Sequence, residues 1–329
     1  MKADLLKRLF RAVSLNSPSE LEKLCAVVVE DERRKGHDAL AQQLESILSA
    51  STLDKSEKVQ ERHLGPLPKA KRTEHPLVNF RPTETLRNQM VLSPEVELRF
   101  QAIENEFAAR ERLNRFGLLH KRRVLLYGPP GCGKSLGAER LAYNTGLPFF
   151  RVRFDALLSS MFGESAQNLR QVFTLASERP SLLFLDECDF IARSRKSTND
   201  VGEVPRIVNT LLQLMEDFDG SGLIVAATNL TGALDEALFR RFDDVFEVPL
   251  PERGEIERLL RLSMSALDTS RLEFESIAIH QVGKSAAQIV KVAQDSCKLA
   301  ILAGRNSVLE ADFLQAVTAQ FNVPTERPQ

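Results

Sequence analysis

The fold of this chain is decided at YGPPGCGKS, residues 127–135. From Gly128 onward, the stretch fits the phosphate-loop pattern G-x-x-x-x-G-K-[ST]. The preceding residues, 123–127, read as a short buried strand, and residues 134–144 read as a helix. The glycines therefore fall at a strand-to-helix turn, where backbone N–H groups and the helix N-terminus face a polyphosphate.

Each residue type in this loop has a physical reason to be there. Glycine is needed because a side chain would block the approach of the phosphates and because the loop must visit positive φ. We expect Lys134 to reach the β- and γ-phosphates and Ser135 to ligate Mg²⁺. An ordinary Gly/Pro turn is the alternative. The predicted phosphate-binding segment consists of Gly128, Pro129, Pro130, Gly131, Cys132, Gly133, Lys134, Ser135 and Leu136.

Two acidic residues end a later apolar strand. Residues 181–187 read SLLFLDE, so that a buried run leads into Asp186 and Glu187. A central strand of this kind delivers carboxylates to the C-terminal edge of a parallel sheet, where α/β folds bind ligands. We expect Asp186 to hold a hydrated Mg²⁺ and Glu187 to polarise an attacking water. A solvated acidic turn is the alternative, and the phosphate loop upstream argues against it.

Further polar positions follow or precede predicted strands. Residues 222–229 form another buried strand that ends at Asn229, which would orient the attacking water near the γ-phosphate. Taken alone, an Asn after a strand is an ordinary turn residue. Arg240 and Arg241 lie on a short predicted helix before the strand at residues 245–248. Two arginines in that place would ordinarily form only a solvated face.

Length, charge and cysteine content limit the class of protein. A chain of 329 residues is long enough for two or three domains. The net charge of −1 argues against a broad nucleic-acid-binding surface, although it allows a local one. The four cysteines form no C-x-x-C pair and suggest neither a zinc site nor a disulfide framework, which fits a reducing cytoplasm. We find no signal peptide and no apolar run of membrane-spanning length.

Hydrophobic periodicity and proline content divide the chain into segments. A long amphipathic helix is predicted from Ser93 toward Gly117, and a capping box from Ser285 to Gln288 starts a helix that runs to Ala303. Residues 3–50 are predicted to form three helices, which either form only their own core or dock a substrate or partner. The predicted segments are a helical N-terminal unit at 1–50, a linker at 51–82, an α/β domain at 83–250, a helical domain at 251–321 and a tail at 322–329.

The order of these segments resembles the AAA+ ATPases, and more closely their protein-remodelling clade. Residues 128–135 are similar to the Walker A motif, residues 182–187 to Walker B, and Asn229 to the sensor after the fourth strand. Arg240 and Arg241 are similar to the paired arginine fingers. The resemblance implies an α/β P-loop NTPase fold, a three-layer domain with a five-stranded parallel sheet, followed by an all-α lid. It also implies ATP and Mg²⁺ as cofactors and hydrolysis of ATP to ADP and phosphate.

The resemblance further implies a ring with a central pore. Protomers of the family form hexamers in which the arginine fingers reach the γ-phosphate bound by the neighbouring protomer. Met161, Phe162 and Gly163 align with the aromatic-hydrophobic-Gly triplet that grips a threaded polypeptide, with Met161 in the aromatic place. Packing of Phe162 beneath the loop is the alternative. Residues 193–203 would form a second pore loop.

These features favour a cytoplasmic ATPase that works as a homo-oligomeric ring, which the resemblance implies is a hexamer. The ring would unfold or disassemble proteins that its N-terminal helices select. The chain has no H-E-x-x-H motif, and its layout resembles bacterial ATPases encoded beside subtilisin-like proteases. A separately encoded protease is therefore a candidate partner. The alternatives are a nucleic-acid-directed AAA+ factor, against which the near-neutral charge argues, and a slow ATP-dependent assembly switch.

Overall fold

A six-stranded sheet carries the phosphate loop in the computed structural model of the chain. The structure describes residues 67–69, 75–158, 164–188, 203–229 and 240–321, together with Val27. The strands, β1 to β6 in chain order, are Val78–Arg81, Arg123–Tyr127, Phe149–Val152, Leu182–Leu185, Leu223–Thr228 and Asp244–Glu247.

Helices separate these strands. The described helices, α1 to α10 in chain order, are Pro94–Ala108, Arg110–Arg115, Lys134–Thr145, Phe154–Leu158, Glu164–Glu178, Glu203–Glu216, Arg253–Ser263, Phe274–Ile279, Ala286–Leu302 and Glu310–Phe321. None of the helices in the described ranges combines the length and the apolar character that a membrane span requires.

The strand order across the sheet is β1-β3-β4-β5-β2-β6. Strands β2 to β6 run parallel to one another, which confirms the predicted α/β fold with a five-stranded parallel sheet. Every residue of β4 and β5 is buried, as expected for strands covered by helices on both faces. The C-terminal ends of β2, β4 and β5 consequently meet at one edge of the sheet.

The linker predicted at residues 51–82 extends too far, because β1 lies within it. Val78–Arg81 pairs antiparallel with β3 at the edge of the sheet, with Val78 opposite Val152. Pro76 and Pro82 flank the strand and made the segment read as irregular. Its extended conformation depends on a partner strand that lies far away in the sequence, which local periodicity does not register.

The long helix predicted from Ser93 to Gly117 is instead two helices. Ser93 caps α1 as expected, accepting a hydrogen bond from the Val96 amide through its side chain. At Ala109 the backbone leaves helical geometry, with φ of −91° and ψ of 5°. α1 buries four apolar side chains, whereas α2 buries none, so the apolar face ends where the core ends.

A buried arginine joins α1 to α3. The Arg140 side chain is only 8% exposed and donates to both carboxylate oxygens of Glu97 at 2.6 Å and to Glu104 at 3.0 Å. The Arg140 hydrogen bonds lower the pKa of Glu97 although burial opposes them. Because α3 begins at the phosphate loop, this clamp helps to place the loop.

The chain divides into two compact units. One unit comprises Pro66–Leu259 and Ala278–Lys291 and contains the sheet. It includes the predicted capping box, which the structure confirms: Gln288 Oε1 accepts from the Ser285 amide at 2.9 Å, and Ser285 Oγ accepts from the Gln288 amide at 3.4 Å.

The described part of the other unit comprises Val27, Leu260–Ile277 and residues 292–321, and it is helical. Its core contains Phe274, Val308 and Phe313. Asp312 accepts from the Leu309 amide at 2.9 Å and pairs with Arg305 at 2.7 Å, which caps the start of α10. The N-terminal unit predicted at 1–50, apart from Val27, and the tail at 322–329 lie outside the described residues. Apart from the end of the linker, the predicted domain boundaries therefore stay predictions.

Candidate active site

The phosphate loop connects β2 to α3, as the motif predicts. Its glycines take conformations that side chains disfavour: φ is +138° at Gly128, +76° at Gly131 and +101° at Gly133. A Cβ at Gly128 would lie 2.4 Å from the carbonyl oxygen of Val248. Gly128 is therefore required both for its φ and for the close approach of the residues after β6.

Lys134 begins α3 and is held within the loop. Its side chain is buried, and Nζ donates to the carbonyl oxygens of Gly128 and Pro129, each at 2.8 Å. These contacts place a positive charge beside the backbone that would surround the phosphates. Pro130 is exposed and Leu136 is half-buried.

Cys132 differs from its neighbours in the loop because it faces the core. It is 5% exposed, and burial raises the pKa of its thiol. Its side chain belongs to the hydrophobic cluster formed by α1, α3 and the sheet. Cys132 therefore supports the loop from beneath, and its backbone is the part of it available to a phosphate.

The start of α9 packs against the same loop within the sheet-containing unit. The Ala287 amide donates to the carbonyl oxygen of Gly131 at 2.9 Å. A Cβ on Gly131 would lie 2.8 Å from Ser285 Oγ. Sequence reasoning found the capping box but not this contact, because nothing local indicates which segment the cap meets.

Asp186 and Ser135 come together at the C-terminal edge of the sheet. Ser135 Oγ donates to Asp186 Oδ2 at 3.2 Å, although the two residues are 51 positions apart in the sequence. The amide of Glu187 donates to the other oxygen, Oδ1, at 3.0 Å. The two residues predicted to hold a metal ion are therefore adjacent in space.

Arg151 is a further charged residue at this site, and sequence reasoning missed it. It lies on β3, and its Nη2 is 2.8 Å from Asp186 Oδ2. The available signal was an arginine in an otherwise apolar strand. This arginine indicates a site residue only if β3 lies beside β4, and only the strand order shows that it does.

Glu187 and Asn229 occupy the ends of neighbouring strands. Glu187 follows β4, is exposed and has φ of 55°. Asn229 directly follows β5 and is also exposed. Because Leu185 is opposite Ala226 in the parallel pairing, both residues lie at the edge that carries the loop. Their predicted roles as base and water-orienting group are compatible with this placement.

Arg240 and Arg241 lie a few residues before β6, which begins at Asp244. Arg240 is exposed, and Arg241 forms an ion pair with Glu216 at the end of α6. The segment before them, residues 230–239, lies outside the described residues. So do the predicted pore-loop residues Met161, Phe162 and Gly163, as well as most of the predicted second pore loop. Their roles stay predictions.

Comparison with known proteins shows which family this chain is similar to. Residues 124–250 match the model of the "ATPase family associated with various cellular activities (AAA)". An uncharacterised AAA family ATPase, y4kL of Sinorhizobium fredii, is 33% identical over 320 residues, which cover 96% of this chain and 94% of that protein.

The chain belongs to the AAA family of ATPases.

Relatives named proteasome-activating nucleotidase are also similar to this AAA ATPase. The protein of Methanoculleus marisnigri is 34% identical over 244 residues, and that of Pyrococcus horikoshii is 36% identical over 252 residues. These matches cover 72% and 74% of this chain but only 59% and 61% of those relatives. The chain is thus an AAA+ ATPase of the protein-remodelling clade, and it hydrolyses ATP.

Proposed function

We propose that this ATPase forms a ring that unfolds or disassembles protein substrates. The observation that carries the proposal is the similarity, over about three quarters of the chain, to relatives named proteasome-activating nucleotidases. A nucleotidase that activates a proteasome serves protein degradation. A protein is therefore the substrate class that we assign to this chain.

The loop geometry supports a specific placement of the phosphates. The loop backbone and the N-terminus of α3 would provide N–H donors, and Lys134 would provide a cation. The phosphates would lie against residues 128–136. Cys132 would contribute backbone rather than its side chain, because that side chain is buried. Leu136 would also contribute backbone, because its side chain carries no polar group.

Ser135 and Asp186 fit a magnesium ion. Mg²⁺ prefers oxygen ligands at 2.0–2.1 Å, so two ligands at right angles lie about 2.9 Å apart. The hydroxyl and carboxylate oxygens here are 3.2 Å apart. Mg²⁺ also keeps several waters and needs only one or two protein ligands. When bound, it would neutralise charge on the β- and γ-phosphates.

The remaining polar groups complete a hydrolysis mechanism. Glu187 would accept a proton from the attacking water, and Asn229 would orient that water. Arg240 and Arg241 would act on the nucleotide bound by the next protomer. A trans-acting arginine accelerates phosphoryl transfer by about 10³- to 10⁵-fold. The isolated protomer would then be almost inactive, and a ring, in the family a hexamer, would be the active form.

Substrate handling rests on segments outside the described residues. We assign gripping of the polypeptide to Met161, Phe162 and Gly163, with residues 193–203 as a second pore loop. The N-terminal helices would select the substrate, and a separately encoded protease would receive it. A cytoplasmic location is part of this proposal.

The test is steady-state ATP hydrolysis across a protein concentration series, alone, with a permanently unfolded polypeptide, and with duplex DNA. We expect stimulation by the polypeptide and activity that rises with assembly. Phe162→Ala should abolish the stimulation and keep basal hydrolysis. Leu98→Ala is the matched control, because Leu98 is a large apolar side chain that is 65% exposed on α1. Stimulation by DNA alone would overturn the proposal and favour the nucleic-acid-directed alternative.

A further inference from the structure

Arg151 faces the carboxylate that the proposed function gives to magnesium. β3 and β4 are parallel, and Arg151 is opposite Phe184. Asp186 follows Phe184 by two residues and therefore lies on the same side of the strand as Phe184. The Arg151 guanidinium reaches across to Asp186 Oδ2 at 2.8 Å. The side chain of Arg151 is 50% exposed, whereas that of Asp186 is 17% exposed.

The Asp186 carboxylate is already well supplied with donors. Oδ2 accepts from Ser135 Oγ at 3.2 Å and pairs with Arg151, while Oδ1 accepts from the Glu187 amide at 3.0 Å. Oδ2 is the oxygen beside Ser135, so a magnesium ion shared with Ser135 would use it. Arg151 thus pairs with the oxygen that the metal ion needs.

We propose that Arg151 competes with Mg²⁺ for Asp186 and sets the magnesium concentration at which the nucleotide site fills. The inference rests on the proposed magnesium site. Two cations beside one oxygen repel each other, so metal binding requires the guanidinium to withdraw. Arg151 can withdraw because half of its side chain is exposed and its stem is long. Between metal-binding events it neutralises Asp186 and prevents uncompensated charge at the sheet edge.

The expected effect is modest because the pair is partly exposed to water. Exposed ion pairs contribute about 0.2–1 kcal/mol, which corresponds to a change in metal affinity of up to about fivefold. Arg151→Gln should therefore lower the half-saturating Mg²⁺ concentration by about two- to fivefold. Nucleotide affinity in the presence of EDTA should change less, since Arg151 contacts the metal-binding carboxylate and not the phosphate loop.

The experiment is a Mg²⁺ titration of fluorescent ADP binding to the full chain, which needs no turnover. Arg153→Gln is the matched control, because Arg153 lies two residues away and pairs with Asp155 at 2.6 Å. It removes the same charge without touching Asp186 and should leave the titration nearly unchanged. Arg151→Met, which retains the apolar stem, is the second variant if the glutamine protein does not fold. Arg151→Lys should restore part of the competition.

The outcomes distinguish a failure of this inference from a failure of the proposed magnesium site. If wild-type binding shows no dependence on Mg²⁺, the magnesium site itself is wrong and the inference falls with it. If wild-type binding depends on Mg²⁺ but Arg151→Gln leaves the midpoint unchanged, raises it, or shifts it no more than Arg153→Gln, the inference alone is wrong.

Discussion

Glu187 is the one non-glycine residue with positive φ among the described parts of the chain, at 55°. A left-handed conformation costs an ordinary residue about 1–2 kcal/mol. The turn is held on both sides: the Glu187 amide donates to Asp186 Oδ1 at 3.0 Å, and the Cys188 amide donates to Ala227 at 2.9 Å. Such strain concentrates at functional sites, which agrees with the predicted role of this carboxylate.

Two replacements of Glu187 should separate the effect of backbone strain on stability from the effect of the carboxylate on ATP hydrolysis. Glu187→Gly should raise the free energy of unfolding by about 1 kcal/mol, because glycine adopts this φ without a steric penalty. Glu187→Gln retains the strain and should leave the stability unchanged. Both variants should lose ATP hydrolysis. Urea denaturation without nucleotide measures the first effect, and equal stabilities for the two variants would contradict it.

A buried histidine should make the free energy of unfolding depend on pH. His120 is 6% exposed, and neither ring nitrogen has a hydrogen-bond partner among the described residues. Burial and the charges of Arg122 and Arg110 lower its pKa, opposed by Glu106 and Asp243. The unfolded chain therefore takes up a proton at higher pH than the folded protein does.

The free energy of unfolding should fall as pH drops below about 6.5, the ordinary histidine pKa, until the lowered pKa of His120 is passed. The slope contributed by this residue is at most about 1.4 kcal/mol per pH unit. His120→Leu should show a smaller loss of stability than wild type between pH 7 and pH 5. The control is His280→Gln, which replaces an exposed histidine. An identical loss in wild type and His120→Leu would show that other groups cause it.

At the scale of elements, a glycine in α3 faces α1 and allows the two helices to pack closely. A Cβ on Gly137 would lie 2.6 Å from the ring of Phe100. Phe100 is fully buried and packs edge-on against Phe246 with ring centroids 5.3 Å apart, so it has little room to move. Gly137 therefore permits the close approach of the helix that carries the phosphate loop.

The same substitution in two helices should have opposite effects. Gly137→Ala should destabilise the protein by about 1–3 kcal/mol through overpacking. Gly254→Ala should stabilise it by about 0.5 kcal/mol, because Gly254 lies in α7 and a Cβ there meets nothing within 4 Å. Thermal unfolding of the two variants beside wild type is the measurement. Effects of the same sign would contradict this account of α3 packing.

At the scale of the whole molecule, the proposed mechanism divides one active site between protomers. Glu187 and the phosphate loop belong to one chain, and Arg240 and Arg241 would serve the next. Arg240 is exposed and so is accessible to a neighbour. Under this proposal, assembly would be a condition for hydrolysis.

Complementation between two inactive variants tests this division. Glu187→Gln should lack the base but retain its arginines, whereas the variant with Arg240→Ala and Arg241→Ala should lack the arginines but retain its base. Each variant alone should be nearly inactive, and a mixture should recover measurable ATP hydrolysis at protomer contacts that combine both intact parts. Mixing wild type with an equal amount of Glu178→Gln, an exposed glutamate at the end of α5, controls for dilution. No recovery in assembled mixtures would place the arginines in the same protomer as the base.

Local sequence determined the phosphate loop and the acidic strand end. The glycines at positions 128, 131 and 133 require positive φ or close backbone approach, and these requirements act over a few residues. The apolar run before Asp186 specified a buried strand for the same reason. The fold class followed because strand, loop and helix succeed one another in an order that permits few topologies.

Only the tertiary structure decided which distant residues meet. The pairing of β1 with β3, the contact of Ala287 with Gly131 and the pairing of Arg151 with Asp186 all join segments far apart in the chain. Each depends on strand order or helix packing, which hydrophobic periodicity does not encode. The sequence by itself determined the chemistry of the loop and the acidic pair. The sheet decided which cation faces that pair, because neighbouring parallel strands bring their C-terminal side chains together whatever their separation in sequence.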